Sequence, residues 1–122
     1  MGSRVIVELE SNKFDSVIRQ SGKMVLVDFW ADWCGYCHVM DPIVQDAAIK
    51  YQDKIEAFRM NADLNVEIAS CLEISGLPVF MLFSEGRPVC SLLGATTRTR
   101  FESWIEDCLR ENSSNPISEV RR

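Results

Sequence analysis

The chain has 122 residues, enough to bury one hydrophobic core without disulfide staples and too few for two ordinary domains. An apolar fraction of 47% and a charged fraction of 25% exclude a disordered chain, and no stretch reaches the roughly 20 apolar residues that span a bilayer. With 13 Lys and Arg against 18 Asp and Glu the net charge is -5, which argues against nucleic acid as a partner, since phosphate is bound by basic surface.

The N-terminal stretch has only Val5-Ile6-Val7 before Glu8 and Glu10 interrupt, so no secretory h-region is predicted and the expected setting is cytoplasmic. Residues 5–9 read as a strand. Ser11 and Asn12 are N-cap types, and Phe14, Val17 and Ile18 recur at helical spacing before Gly22, predicting a helix over 12–21. Residues 24–30 form a near-continuous apolar run interrupted by Asp28, the pattern of a strand covered on both faces. After it, Met40, Ile43, Val44, Ala47, Ala48 and Tyr51 predict an amphipathic helix over 35–52, with a kink at Pro42, where a donor is lost and the His38 carbonyl is crowded.

Residues 55–61 alternate as a strand does, and Leu64, Ile68, Ala69 and Leu72 predict a short helix ending near Ser75-Gly76. Residues 79–83 and 89–93 flank Ser84-Glu85-Gly86-Arg87-Pro88, which reads as an antiparallel hairpin. Thr96 or Thr97 is placed to cap a last helix with the apolar stripe Phe101, Trp104, Ile105 and Cys108. Residues 111–122 lose this periodicity and gain Asn, Ser and Pro, predicting a flexible polar tail after a single domain over 1–110. Strands alternating with helices before a hairpin indicate an α/β domain with a mixed sheet.

Five cysteines are an odd number and do not read as a secreted disulfide framework. Metal sites usually need a second ligand pair at matching spacing, whereas only Cys34 and Cys37 are close in sequence and His38 is the sole histidine, so no metal is expected. Cys71, Cys90 and Cys108 fall on apolar positions and are expected to pack as small hydrophobes.

The informative pair is Cys34 and Cys37, between an apolar strand and the first turn of a helix. Spacing of three on a helical turn puts the Cα atoms about 5 to 6 Å apart, inside the window a disulfide tolerates. Unpaired N–H groups and the dipole at a helix start favour negative charge, so Cys34 at the cap is the expected nucleophile, with a lowered pKa. Cys37, one turn further in, is the expected resolving thiol. Asp28, a carboxylate in an apolar strand, must have its pKa raised by desolvation or be paired. It reads either as a proton acceptor for Cys37 or as a structural carboxyl hydrogen-bonded in the core.

The run Val27-Asp28-Phe29-Trp30-Ala31-Asp32-Trp33-Cys34-Gly35-Tyr36-Cys37 resembles the active-site signature of the thioredoxin family. The resemblance extends over residues 5–110 through Asn61-Ala62-Asp63, Ser75-Gly76-Leu77-Pro78, the Gly86 turn and Gly94-Ala95. It implies a thioredoxin fold, a central mixed sheet of four to five strands flanked by about four helices. It also implies a thiol–disulfide oxidoreductase that reduces protein disulfides through a reversible Cys34–Cys37 couple, with no metal or organic cofactor. A reductase would donate electrons, and the chain would act as a monomer. By the same resemblance Pro78 follows a cis peptide and faces the Cys34 sulfur, while Trp33, Leu77, Pro78, Leu93 and Gly94 rim a groove in which an extended substrate pairs like an added strand. Read without the family, Pro78 is a strand-initiating proline and Trp30 and Trp33 are core aromatics.

Two residues depart from the family pattern: Tyr36 stands where proline is usual, and His38 where Lys or Arg is usual. With Gly35 before it, Tyr36 has a free N–H to aim at Cys34, which favours the thiolate and makes the disulfide more oxidising. That places the couple between about -270 mV (thioredoxin) and about -180 mV (protein disulfide isomerase). His38 either adds a titratable charge near the pair or is an inert exposed residue. Arg59 stands where the family often has a buried lysine near the aspartate matched by Asp28, and an Arg59–Asp28 pair would weaken that carboxylate as a base. The competing functions are a disulfide oxidase or isomerase using the same groups, and a binding module whose thiols are incidental.

Overall fold

The computed structural model describes residues 6–112. Five strands and four helices follow one another as β1 (Val7–Glu8), α1 (Ser11–Gln20), β2 (Met24–Trp30), α2 (Gly35–Lys50), β3 (Ile55–Asn61), α3 (Val66–Cys71), β4 (Val79–Ser84), β5 (Arg87–Leu93) and α4 (Arg98–Glu111). The strands form one sheet in the order β1-β3-β2-β4-β5. β3 runs parallel to β1 and β2, β4 antiparallel to β2, and β5 antiparallel to β4. This is the mixed sheet expected from the sequence.

β2 is central, and its alternating side chains divide the core in two. Leu26 faces one side with Met40, Val44, Ala47 and Ala48 of α2 and with Phe101 and Ile105 of α4. Val25, Val27 and Phe29 face the other with Ile18 of α1 and, at its margin, Ile68. Covering on both faces is why the 24–30 run reads as almost wholly apolar. The Phe80 and Phe101 rings meet edge to face at 4.9 Å, fastening α4 to the sheet.

Boundaries differ from expectation where side chains found other partners. α1 starts at Ser11 behind Glu10, which makes no side-chain cap. The Ser11 N–H and hydroxyl both donate to Asn65 Oδ1 instead, tying α1 to the residue that precedes α3. β1 is only two residues, paired with Phe58 and Arg59 at one edge of the sheet. α2 continues through Pro42 to Lys50. The hairpin turn is shorter than predicted, Glu85 and Gly86 both having positive φ, with β5 beginning at Arg87. Thr97 is the cap of α4, its hydroxyl accepting from the Arg100 N–H. Glu111 is still helical and Asn112 closes the helix, so these two residues belong to α4; residues 113–122 of the predicted tail lie outside the described ones.

Two cysteine expectations need correction. Cys71 is an exposed free thiol, not a core residue, because it ends the short α3 on its outer side. Cys90 and Cys108 are joined in a disulfide, their Cα atoms 6.4 Å apart. The inward face of β5 and the apolar stripe of α4 meet at these two positions, a juxtaposition that spacing along the chain does not announce.

Tyr51, at the end of α2, is buried and its hydroxyl donates to Glu106 of α4. Burial first, then that hydrogen bond and the negative charge of Glu106, raise the phenol pKa above its usual 10. A raised folded-state pKa contributes stability that is intact below about pH 10 and is lost above it, as the unfolded chain ionises first. Urea midpoints measured from pH 8 to pH 11 should fall more steeply for the wild type than for Tyr51→Phe.

Candidate active site at the start of the second helix

β2 delivers the chain to the edge of the sheet at Trp30, and residues 31–34 turn it into α2. Cys34 is the N-cap, in extended backbone conformation, with its N–H bonded to the Ala31 carbonyl at 3.1 Å. Cys34 and Cys37 form a disulfide with Cα atoms 5.3 Å apart. The Cys34 sulfur accepts the Cys37 N–H at 3.1 Å, so the backbone donor expected from Tyr36 is supplied one residue further along. Both cysteines are nearly covered, whereas Trp33 and Tyr36 beside them are about two-thirds exposed. The pair therefore sits at the foot of an apolar rim, at the positive end of a helix.

Asp28 is 3% exposed and shares the face of β2 that carries Leu26, the face on which α2 packs. Its strand neighbours are Arg59 on β3 and Phe80 on β4. Arg59 directs its guanidinium to Glu8 (3.4 Å) and Asp41 (3.6 Å) and lies over the Trp30 ring at 3.9 Å. Glu8 also accepts from the Trp30 indole and from the Asn61 N–H, both at 3.1 Å. Trp30 is thus part of a polar layer, held between a carboxylate and a guanidinium. Sequence reasoning missed Glu8 and Asp41, because their meeting with Arg59 depends on the sheet order and on the facing of α2.

Around the disulfide, the His38 ring donates from Nε2 to the Asp32 carbonyl at 3.0 Å, tying the first turn of α2 to the preceding loop. The Trp33 indole donates to Asp63 at 2.8 Å. Trp33 and Leu77 line a cleft of about 340 Å³ together with Ala62, Val66, Ile74 and Gly76. The Leu77–Pro78 peptide is cis, and the Pro78 carbonyl accepts the Gly94 N–H at 2.8 Å, which brings the 75–78 and 93–95 loops together with Leu93 exposed on the rim. Among the described residues no group of three His, Cys, Asp or Glu side chains is arranged to hold a metal ion.

A buried Cys-x-x-Cys disulfide capping a helix, with a cis-proline loop alongside, is chemistry for reversible exchange of sulfur–sulfur bonds. Residues 5–107 match the family model described as Thioredoxin. The chain belongs to the thioredoxin family. It is similar to a thioredoxin of Alicyclobacillus acidocaldarius subsp. acidocaldarius, 40% identical over 91 residues, covering 75% of this chain and 87% of that one. It is also similar to a thioredoxin of Buchnera aphidicola subsp. Baizongia pistaciae (strain Bp), 36% identical over 100 residues, covering 82% and 92%. Among solved structures it resembles a chain from a study of the thiol resolving mechanism in yeast mitochondrial 1-Cys peroxiredoxin via glutathione/thioredoxin systems. That match has a TM-score of 0.77 at 28% identity and covers 86% of this chain and 99% of that one. This thioredoxin-family protein is a thiol–disulfide oxidoreductase.

Gly94 has φ of +95° with open space where a Cβ would stand. Backbone conformation alone therefore resists substitution there. Gly94→Ala should lower the unfolding free energy by about 1–2 kcal/mol, read from urea midpoints.

Proposed function

We propose that the chain reduces protein disulfides, with Cys34 as nucleophile, Cys37 as resolving thiol and Asp28 as the proton acceptor that serves Cys37. The observation that carries this reading is the Cys34 sulfur at the N-cap of α2, already accepting a backbone N–H in the closed pair. In the reduced chain the same donors favour negative charge on that sulfur. The Cys34 thiolate attacks one sulfur of a substrate disulfide, forming a mixed disulfide and expelling the first substrate thiolate. Cys37 then gives its proton to Asp28, attacks the Cys34 sulfur and expels the second substrate thiolate. The substrate has gained two electrons and the chain is left as the Cys34–Cys37 disulfide. A dithiol reductase returns the electrons by the same exchange in reverse, and no cofactor bound by this chain takes part.

The exposed Trp33 and Leu93, with Leu77, Pro78 and Gly94, are proposed to receive an extended substrate segment, whose backbone pairs with that of Leu77. Gly35 and Tyr36 are proposed to set the redox poise by shaping the turn that aims the Cys37 N–H at the Cys34 sulfur, the donor being Cys37 rather than Tyr36 itself. Every group in this scheme comes from one chain, which supports action as a monomer built on residues 1–110. No helix among the described residues is long and apolar enough to cross a membrane, and likeness to the Alicyclobacillus and Buchnera thioredoxins supports a cytoplasmic setting.

Three measurements test this. Cys34→Ser should abolish the acceleration of insulin reduction by dithiothreitol over its uncatalysed rate, and Cys37→Ser should accumulate mixed disulfides on Cys34; equal rates in wild type and Cys34→Ser would leave only a binding module. Asp28→Asn should slow release of a preformed mixed disulfide by about 10- to 100-fold near pH 7, a loss that shrinks as rising pH deprotonates Cys37 without help. Equilibration with glutathione should place the couple between about -270 and -180 mV, with Tyr36→Pro moving it negative. A wild-type value at or below the lower figure would refute the role given to Tyr36.

A further inference from the structure

The chain carries a second disulfide that the exchange chemistry does not use. Cys90 lies on the inward face of β5, partly buried, and Cys108 lies in the last turn of α4, 1% exposed and within the core. Asn112, which closes α4, bonds the Cys108 carbonyl at 2.9 Å, and its amide sits over both sulfurs, at 3.5 Å from Cys108 and 3.9 Å from Cys90. We propose that Cys90–Cys108 is a permanent staple between β5 and α4 that stays closed while Cys34–Cys37 cycles, so that the two disulfides of this chain divide structural and exchange duties.

The argument rests on where each sulfur stands relative to a helix. Cys34 caps the N-terminus of α2, where unpaired N–H groups welcome a departing or attacking thiolate. Cys108 stands at the opposite pole, in the last turn of α4, where the dipole is negative, and it is buried within the core. Burial and the negative end of the dipole disfavour a thiolate there, and the Asn112 amide that reaches the sulfur is its one identified donor, so Cys108 is a poor leaving group when the bond is attacked. Attack is also obstructed, since Cys108 is sealed in the core and Asn112 covers the bond.

Closure balances by ordinary exchange with glutathione disulfide before α4 is sealed. The Cys90 thiolate attacks one glutathione sulfur and releases a glutathione thiolate, and Cys108 then loses its proton, attacks the Cys90 sulfur and releases the second. The chain loses two electrons and two protons, and one glutathione disulfide becomes two thiols. A bridge across 18 residues then limits the unfolded chain, which is the main source of its stabilisation.

The test has two arms. In the first, the full unaltered chain is equilibrated in reduced glutathione and its thiols are blocked with N-ethylmaleimide. Label should appear on Cys34, Cys37 and Cys71, and reach Cys90 and Cys108 only after denaturation with a strong reductant. Labelling of Cys90 and Cys108 in step with Cys34 and Cys37 would overturn the proposal. In the second, Cys90→Ala/Cys108→Ala should melt about 10–20 °C below the oxidised wild type, with its initial rate of insulin reduction at 25 °C within about twofold. An unchanged Tm, or turnover lost from a folded variant, would count against the staple. Should that variant fail to fold, Cys90→Val/Cys108→Val, which refills the core, carries the same comparison, and the labelling arm needs no variant.

Discussion

The site depends on one constraint, that β2 is buried on both faces and the chain can leave it only at the sheet edge. Seven residues of central strand have no freedom to slip, because a shift of one position would move Leu26 and Phe29 to the wrong sides. The first turn of α2 is therefore fixed in space by packing that has nothing to do with sulfur chemistry. Cys34 receives its place at the cap as a consequence of that packing. The dipole at such a position favours negative charge by about 0.3–2 kcal/mol, and a hydrogen bond to a charged group adds about 1.5–3 kcal/mol. Since 1.4 kcal/mol is tenfold in an equilibrium constant, the two effects together raise the ionisation constant of the thiol by about one to three orders of magnitude, enough to make the thiolate a major species near neutrality.

The polar layer around β2 and β3 answers a second physical demand. Asp28 and Arg59 are neighbours in register and both largely buried, and a buried guanidinium must be paired. Glu8 and Asp41 approach it from opposite sides, one from β1 and one from α2, while the Trp30 ring covers its face. The planar guanidinium suits this arrangement in a way an ammonium does not, since it can stack on an aromatic ring and present donors along its edge at the same time. Arg59 consequently joins three elements of the fold, β1, β3 and α2.

The sequence was legible wherever one strong pattern acted alone. The apolar run 24–30, the i, i+3, i+4 stripes of α2 and α4, and the Cys-x-x-Cys between them each follow from burial or from local geometry, and each is where it was read. What escaped reading depends on elements distant in sequence. Ser11 has the chemistry of a cap but spends its hydroxyl on Asn65, 54 residues away. Cys90 and Cys108 have the composition of packing residues and are bonded, because β5 and α4 face each other only after the whole sheet is assembled. Glu8 and Asp41 look like ordinary surface carboxylates until β1 is placed beside β3 and α2 is laid across the sheet.

The two disulfides differ by position more than by composition, and position is what the fold supplies. A sulfur at a helix start lies at the positive end of the dipole, among N–H groups without helical partners; one in a last turn lies at the negative end. The same residue type is thereby made labile at Cys34 and inert at Cys108 with no change in its own chemistry. α2 presents its start toward the Trp33 rim, where a substrate can arrive. α4 carries its end to the opposite end of the sheet, beside the buried Tyr51–Glu106 contact. An antiparallel hairpin between β4 and β5 is what allows this, since it returns the chain to the site edge at Gly94 before α4 begins. The helix that closes the core must then run away from the site, and its negative pole, with Cys108, ends far from the sulfur that reacts.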